Sequence, residues 1–303
     1  MMRKSFESWM DSQLARVECK LDELVCANVP AGLGEVMRYG VLDGGKRLRP
    51  LLVLAAAQAL RADGEAALRA ACAVELIHAY SLIHDDMPCM DNDVLRRGKP
   101  TVHVKYGEAQ AMLAGDAMQA LAFEVLTPDE DAGGGNPVAP PLQARLCSLL
   151  ARASGVQGMA GGQAIDLASV GQPLDEASLQ DMHRRKTGAL LQASVQMGAA
   201  CGGVGLDSVS WDALTEYGAA LGLAFQVVDD ILDVTQGSDV LGKTAGKDAD
   251  QNKPTYVSVL GLDGARRRAD ALHQRARAAL ERSEVADRHW LVMLADRVVE
   301  RQS

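Results

Sequence analysis

The chain has 303 residues, 48% hydrophobic and 23% charged, enough to bury a sizeable core. Aromatics are only 4% against abundant Ala, Leu and Met, a mixture that favours helix over strand. A net charge of −9 disfavours nucleic acid and anionic membrane, so an anionic ligand needs a local basic pocket or a metal ion.

Six cysteines (Cys19, Cys26, Cys72, Cys89, Cys147, Cys201) are scattered without CxxC or zinc-finger spacing, as free thiols in a reducing cytosol would be. No stretch has signal-peptide form or approaches about 18 uninterrupted apolar residues, so a cytoplasmic protein without stable membrane insertion is expected.

Residues 5–27 alternate apolar and charged positions at threes and fours, as an amphipathic helix does. Pro30 and Gly32 end it, and a second helix is expected from about Leu33. It leads to Gly44-Gly45-Lys46-Arg47-Leu48-Arg49-Pro50, either a solvated interhelical turn or a phosphate cradle with Lys46 and Arg49 beside freed backbone amides. Residues 65–87 are apolar nearly all round, which predicts a central helix. In this helix His84 reads as a satisfied core residue. His78 lies seven residues before Asp85, about 10 Å along the helix on nearly the same face, where it could touch substrate.

That helix runs into the first of two aspartate clusters, Asp85-Asp86-Met87-Pro88-Cys89-Met90-Asp91. Carboxylates near a helix C-terminus oppose the macrodipole by roughly 0.3–1 kcal/mol each, so something positive must offset them, and Mg²⁺ with its preference for oxygen ligands is the natural candidate. Pro88 must kink or end the helix, which lets Asp91 turn back toward Asp85. Arg96 and Arg97 follow, as salt-bridge partners or as a bidentate grip on diphosphate.

Residues 107–126 read as another helix. Residues 127–141, with three glycines and several prolines, read as a surface connection inserted in one domain. Glycines at 158, 161 and 162 within the helical run 142–168 imply close packing or substrate approach. A helix over 181–198 carries Lys186 and Thr187, and the lysine can also be read as an ordinary surface residue. The second cluster is Gln226-Val227-Val228-Asp229-Asp230-Ile231-Leu232-Asp233 within a core helix over 211–235, with Gln226, Asp229 and Asp233 on one face. Residues 237–254 lack a helical period and carry Lys243, Lys247 and Lys253, which suggests a lid. The helical pattern returns over 255–301.

Taken together, the GGKRLRP turn, Asp85-Asp86-(x)4-Asp91, Leu95-Arg96-Arg97-Gly98, Lys186-Thr187-Gly188, Gln226-(x)2-Asp229-Asp230-(x)2-Asp233, Gly242-Lys243 and Lys253 resemble the short-chain trans-isoprenyl diphosphate synthases of the bacterial farnesyl/geranylgeranyl type. The resemblance implies an all-α, single-domain bundle over 1–303 around a deep central cavity, usually a homodimer. By resemblance, Asp85, Asp86, Asp91, Asp229, Asp230 and Asp233 would bind about three Mg²⁺, with Mn²⁺ as a substitute. Lys46, Arg49, His78 and Arg97 would bind isopentenyl diphosphate. Arg96, Lys186, Thr187, Gln226, Lys243 and Lys253 would serve the allylic diphosphate, dimethylallyl or geranyl.

Tyr80 and Ser81, five and four residues before Asp85, would set product length, and the bulk of Tyr80 argues for fifteen carbons. The four-residue spacer inside the first cluster also resembles geranylgeranyl synthases, so geranylgeranyl or geranyl products are the alternative. A terpene cyclase would need a different second motif, and a non-catalytic regulatory subunit would have degraded aspartates.

Overall fold

The structure is a computed structural model that describes residues 2–42, 44–62, 64–128, 138–172, 174–235 and 254–300. The described residues form helices and one two-residue β-hairpin, which makes the fold all-α as expected. The helices are α1 (Met2–Leu24), α2 (Leu33–Val41), α3 (Leu48–Ala59), α4 (Gly64–Asp85), α5 (Val102–Tyr106), α6 (Glu108–Leu126), α7 (Pro140–Ser154), α8 (Met159–Ala168), α9 (Glu176–His183), α10 (Ala189–Cys201), α11 (Val209–Thr235), α12 (Tyr256–Arg282) and α13 (His289–Glu300). Strands β1 (Leu95–Arg96) and β2 (Lys99–Pro100) make the hairpin.

The chain divides into two compact units, 1–54 with 63–147 and 55–62 with 148–303, and passes between them within α3 and α7. In the first unit α4 is the central helix, as its all-round apolar sequence requires. Ala66 to Ala79 are buried apart from Arg69 and His78. Long and apolar enough to cross a membrane, α4 nevertheless has 72% of its most apolar window buried inside the protein, as a core helix does. Two glycines let neighbouring helices approach it closely. A Cβ on Gly40 of α2 would lie 2.6 Å from Ile83 Cδ1, and one on Gly115 of α6 would lie 2.1 Å from His84 Nε2. The His84 ring also meets the Met112 carbonyl at 3.1 Å, so it has the polar partner expected of it but is half-buried rather than a core residue.

The second unit is built on α11 and α12, whose apolar faces (Leu223, Val227, Val228, Ile231, Leu272) close with Leu179 and Met182 of α9 into one core. Local signals fix where its helices start. Asp175 accepts from the Ser178 backbone N–H at 2.8 Å to cap α9, and Thr255 and Ser258 form a reciprocal capping box at the start of α12. Two expected continuous helices are interrupted. The run 142–168 breaks at 155–158, where Gly158 comes so close to the preceding turn that a Cβ would sit 2.0 Å from the Ala153 carbonyl oxygen. The run 181–198 changes to one π-type turn over Arg184–Gly188, a widening that helices use to re-aim side chains.

Candidate active site

In the first unit, α4 stops at Asp85, three residues before Pro88, because the residue preceding a proline is driven out of the α region. The chain then turns back on itself: the Asp91 N–H donates to the Asp85 carbonyl at 2.8 Å and the Asp93 N–H to the Asp86 carbonyl at 3.1 Å. Asp85 and Asp91 thus become neighbours, both half-buried, as the proline argument required. Asp86 behaves differently. It is 3% exposed and its carboxylate is gripped by Arg96, Nε at 2.8 and 3.0 Å and Nη2 at 2.6 Å. Burial raises the Asp86 carboxyl above its usual range against the opposing pull of Arg96.

The arginines reach their places through the hairpin. Arg97 (φ 52°) and Gly98 (φ 75°) occupy the two central positions of the turn between β1 and β2, a conformation with positive φ at both residues. Few non-glycine residues adopt it. It sends the Arg97 guanidinium to the Gly44 carbonyl, Nη1 to O 2.5 Å, and across Gly45, where a Cβ would lie 2.7 Å from Nη2. A second left-handed residue, Arg47 (φ 44°), anchors the same glycine turn from beneath. Arg47 is 4% exposed and pairs with Glu75 of α4 at 2.6 Å and Glu18 of α1 at 2.7 Å.

The turn that carries Lys46 and Arg49 is therefore pinned from both sides. His78 sits where these cations converge. Burial and then the charges of Arg49, Arg97, Arg96 and Arg47 hold its imidazole well below the usual range, and so neutral. Tyr80 is half-buried with its ring edge-on to His84 at 5.7 Å, and burial together with the Asp85 charge raises its phenol. The Ser81 hydroxyl is turned back to the His78 carbonyl at 2.8 Å.

In the second unit the π-type turn presents Lys186 and Thr187. The Lys186 ammonium meets Asp166 of α8 at 2.6 Å, and the Thr187 hydroxyl donates to Gln226 of α11 at 3.1 Å. Gln226 in turn donates to Asp230 at 2.8 Å, and the other Asp230 oxygen accepts the Tyr256 backbone N–H at 2.8 Å. Gln226 keeps the helix face it was expected to share with Asp229 and Asp233, and its amide donates to Asp230, one turn on. Asp230 sits against the N-terminus of α12, the positive end of that helix. Within the clusters Asp86 thus finds a positive partner in Arg96, and Asp230 in a helix terminus.

The donor chemistry fits Mg²⁺. Among the described residues no three His, Cys, Asp or Glu side chains converge on a point, so there is no all-protein cage. Mg²⁺ does not need one, since it is usually held by one or two carboxylates with water and phosphate oxygens completing the octahedron. The Asp85–Asp91 pair, joined through the backbone and half-exposed, supplies such a set. Lys243, Lys253 and all but Pro254 of the expected lid over 237–254 lie outside the described residues.

Sequence reasoning did not single out Glu18, Glu75, Asp166 or His183. Asp166 could have been noticed from its spacing, four residues after Gly162 on a helix face otherwise apolar or small. The carboxylates that hold Arg47 leave no local trace, since Glu18 and Glu75 lie 29 and 28 residues away.

Residues 30–289 match the polyprenyl synthetase family. The farnesyl diphosphate synthase of Haemophilus influenzae is 46% identical over 266 residues, covering 88% of each chain. The heterodimeric geranylgeranyl pyrophosphate synthase large subunit 1 of Arabidopsis thaliana is 43% identical over 304 residues, covering 98% of this chain and 80% of its own. The apo crystal structure of a Zymomonas mobilis FPP/GFPP synthase superposes with a TM-score of 0.85 at 40% identity over 99% of this chain and 100% of the other. A Helicobacter pylori geranyltransferase, solved with magnesium and isoprenyl diphosphate, gives 0.81 at 33% identity over 97% and 96%. This chain accordingly belongs to the polyprenyl synthetase family and is a prenyltransferase.

Proposed function

We propose that the chain is a Mg²⁺-dependent (2E,6E)-farnesyl diphosphate synthase that joins isopentenyl diphosphate to dimethylallyl and then geranyl diphosphate, with both units acting as one domain over 1–303. Lys46, Arg49, His78 and Arg97 hold the isopentenyl diphosphate. The guanidiniums gathered around His78 support this, because an arriving diphosphate relieves their mutual repulsion. Arg96, Lys186, Thr187, Gln226, Lys243 and Lys253 hold the allylic diphosphate. Asp85, Asp86, Asp91, Asp229, Asp230 and Asp233 serve about three Mg²⁺, with Mn²⁺ as a substitute. Asp86 and Asp230 contribute mainly by orienting Arg96 and Gln226.

When bound, the metal neutralises charge on the departing diphosphate. The allylic C–O bond breaks, the isopentenyl double bond attacks the allylic carbon, and a proton leaves to the released diphosphate. The chain's part is to hold both diphosphates with cations already in place, so that charge developing at the leaving group meets preorganised partners.

The observation that carries the fifteen-carbon product is Tyr80, a bulky half-buried ring about 7.5 Å along α4 from Asp85 at 1.5 Å per residue. A geranylgeranyl product is the second reading, favoured by the 43% identity to the Arabidopsis thaliana subunit. Incubation with Mg²⁺, isopentenyl diphosphate and geranyl diphosphate, followed by chromatography of the dephosphorylated alcohols, tests this: a fifteen-carbon alcohol is expected, and a twenty-carbon one replaces the reading. The same protein is proposed to be cytoplasmic and homodimeric.

A further inference from the structure

Two helices treat the π-type turn in the same way. On α8, Gly162 brings its backbone so close to Lys186 that a Cβ would lie 2.2 Å from the Lys186 nitrogen, and four residues later Asp166 takes the Lys186 ammonium at 2.6 Å. On α11, Gly222 approaches Gly188 so that a Cβ would lie 2.8 Å from its Cα, and four residues later Gln226 takes the Thr187 hydroxyl at 3.1 Å. Each helix thus offers, on one face and one turn apart, a missing side chain where the backbone must fit and a polar side chain for the residue presented. Asp166 is 5% exposed, so its carboxylate has little water to compete with the lysine. A free lysine carries a long flexible stem with no preferred direction, whereas this one is fixed at both its backbone and its ammonium.

We infer that Asp166 is a positioning residue, which with Gly162 holds Lys186 ready for the allylic diphosphate as Gly222 and Gln226 hold Thr187. Asp166 does not touch substrate; it acts through Lys186. This rests on the proposed function, in which Lys186 meets the allylic and not the isopentenyl diphosphate, and that assignment gives the inference its sharpest consequence. Loss of Asp166 must damage the handling of one substrate and spare the other.

The test is steady-state kinetics of the full chain and its Asp166→Asn, Asp166→Glu and Gly162→Ala variants, with geranyl and isopentenyl diphosphate varied in turn and melting temperatures recorded alongside. Asp166→Asn keeps the shape and removes the charge. It is expected to raise KM for geranyl diphosphate about tenfold or more, leave KM for isopentenyl diphosphate within about twofold, and melt within a few degrees of the parent. Asp166→Glu is expected to restore part of the loss, and Gly162→Ala to reproduce the Asp166→Asn pattern with the carboxylate intact.

An unchanged KM for geranyl diphosphate overturns the inference. So does an equal rise in both KM values, or an Asp166→Asn protein that does not fold, since each marks a merely structural carboxylate. If the parent itself couples none of these substrates, the proposed function fails instead. Calorimetry with inorganic diphosphate and Mg²⁺ then still decides about Asp166: weaker binding by Asp166→Asn upholds its role, and equal binding removes it.

Discussion

His183, the last residue of α9, gives the structure a pH dependence that can be worked out in advance. The ring is 7% exposed, neither of its nitrogens has a hydrogen-bond partner among the described residues, and it stacks on Tyr256 with centroids 5.5 Å apart. Burial pushes the imidazole down to about 4, with the Asp166 carboxylate pulling against the shift and the Lys186 ammonium adding to it. An unfolded histidine titrates near 6.5, so between about pH 6.5 and pH 4 the unfolded chain binds a proton that the folded chain refuses. Stability therefore falls as the pH drops through this window and is undiminished above it.

For one group shifted from about 6.5 to about 4, the loss at pH 4.5 relative to pH 7.5 is about 2.5 kcal/mol. Other groups titrate over the same range, so the measurement is a difference. Urea unfolding of the parent and of His183→Phe, followed by circular dichroism at a fixed protein concentration, is compared at pH 7.5 and pH 4.5. The phenylalanine keeps the stack on Tyr256 and cannot titrate. The variant is expected to lose about 2.5 kcal/mol less than the parent on acidification. Parallel losses in the two proteins would refute the picture of an uncharged imidazole sealed in this core.

Glu75→Ala removes the better-buried partner of Arg47 and leaves its guanidinium with Glu18; a loss of about 3 kcal/mol in urea unfolding is expected, with a raised KM for isopentenyl diphosphate from the loosened Lys46 and Arg49 turn. Tyr80→Ala is expected to shift the product to twenty carbons or longer, read by chromatography of the alcohols, and an unchanged profile would discard its role in setting length. Treatment with a chelator is expected to abolish coupling and readdition of Mg²⁺ to restore it, while the circular dichroism spectrum stays the same throughout.

Much of this site was legible because its signals are local. Pro88 announces the end of α4 and the return of Asp91, and the periodicity of 65–87 announces a buried helix. What escaped the sequence depends on partners distant along the chain or on backbone geometry. The salt-bridge reading of Arg96 anticipated its hold on the Asp86 carboxylate, but nothing near Asp230 says that the start of α12, 26 residues later, will take one of its oxygens. The macrodipole argument treated all six carboxylates alike, whereas Asp86 and Asp230 have positive partners within the chain. The π-type turn left only an indirect mark: glycines that are costly in helices, here explained by Gly162 and Gly222 lying against its backbone.

The Asp86–Arg96 and Asp166–Lys186 pairs have a consequence beyond geometry. On the proposed function, each unit holds one cation meant for an incoming anion that is already paired with a carboxylate, so these two cations do not stand bare at rest. At these two positions a ligand would have to compete for a guanidinium or an ammonium that is already engaged.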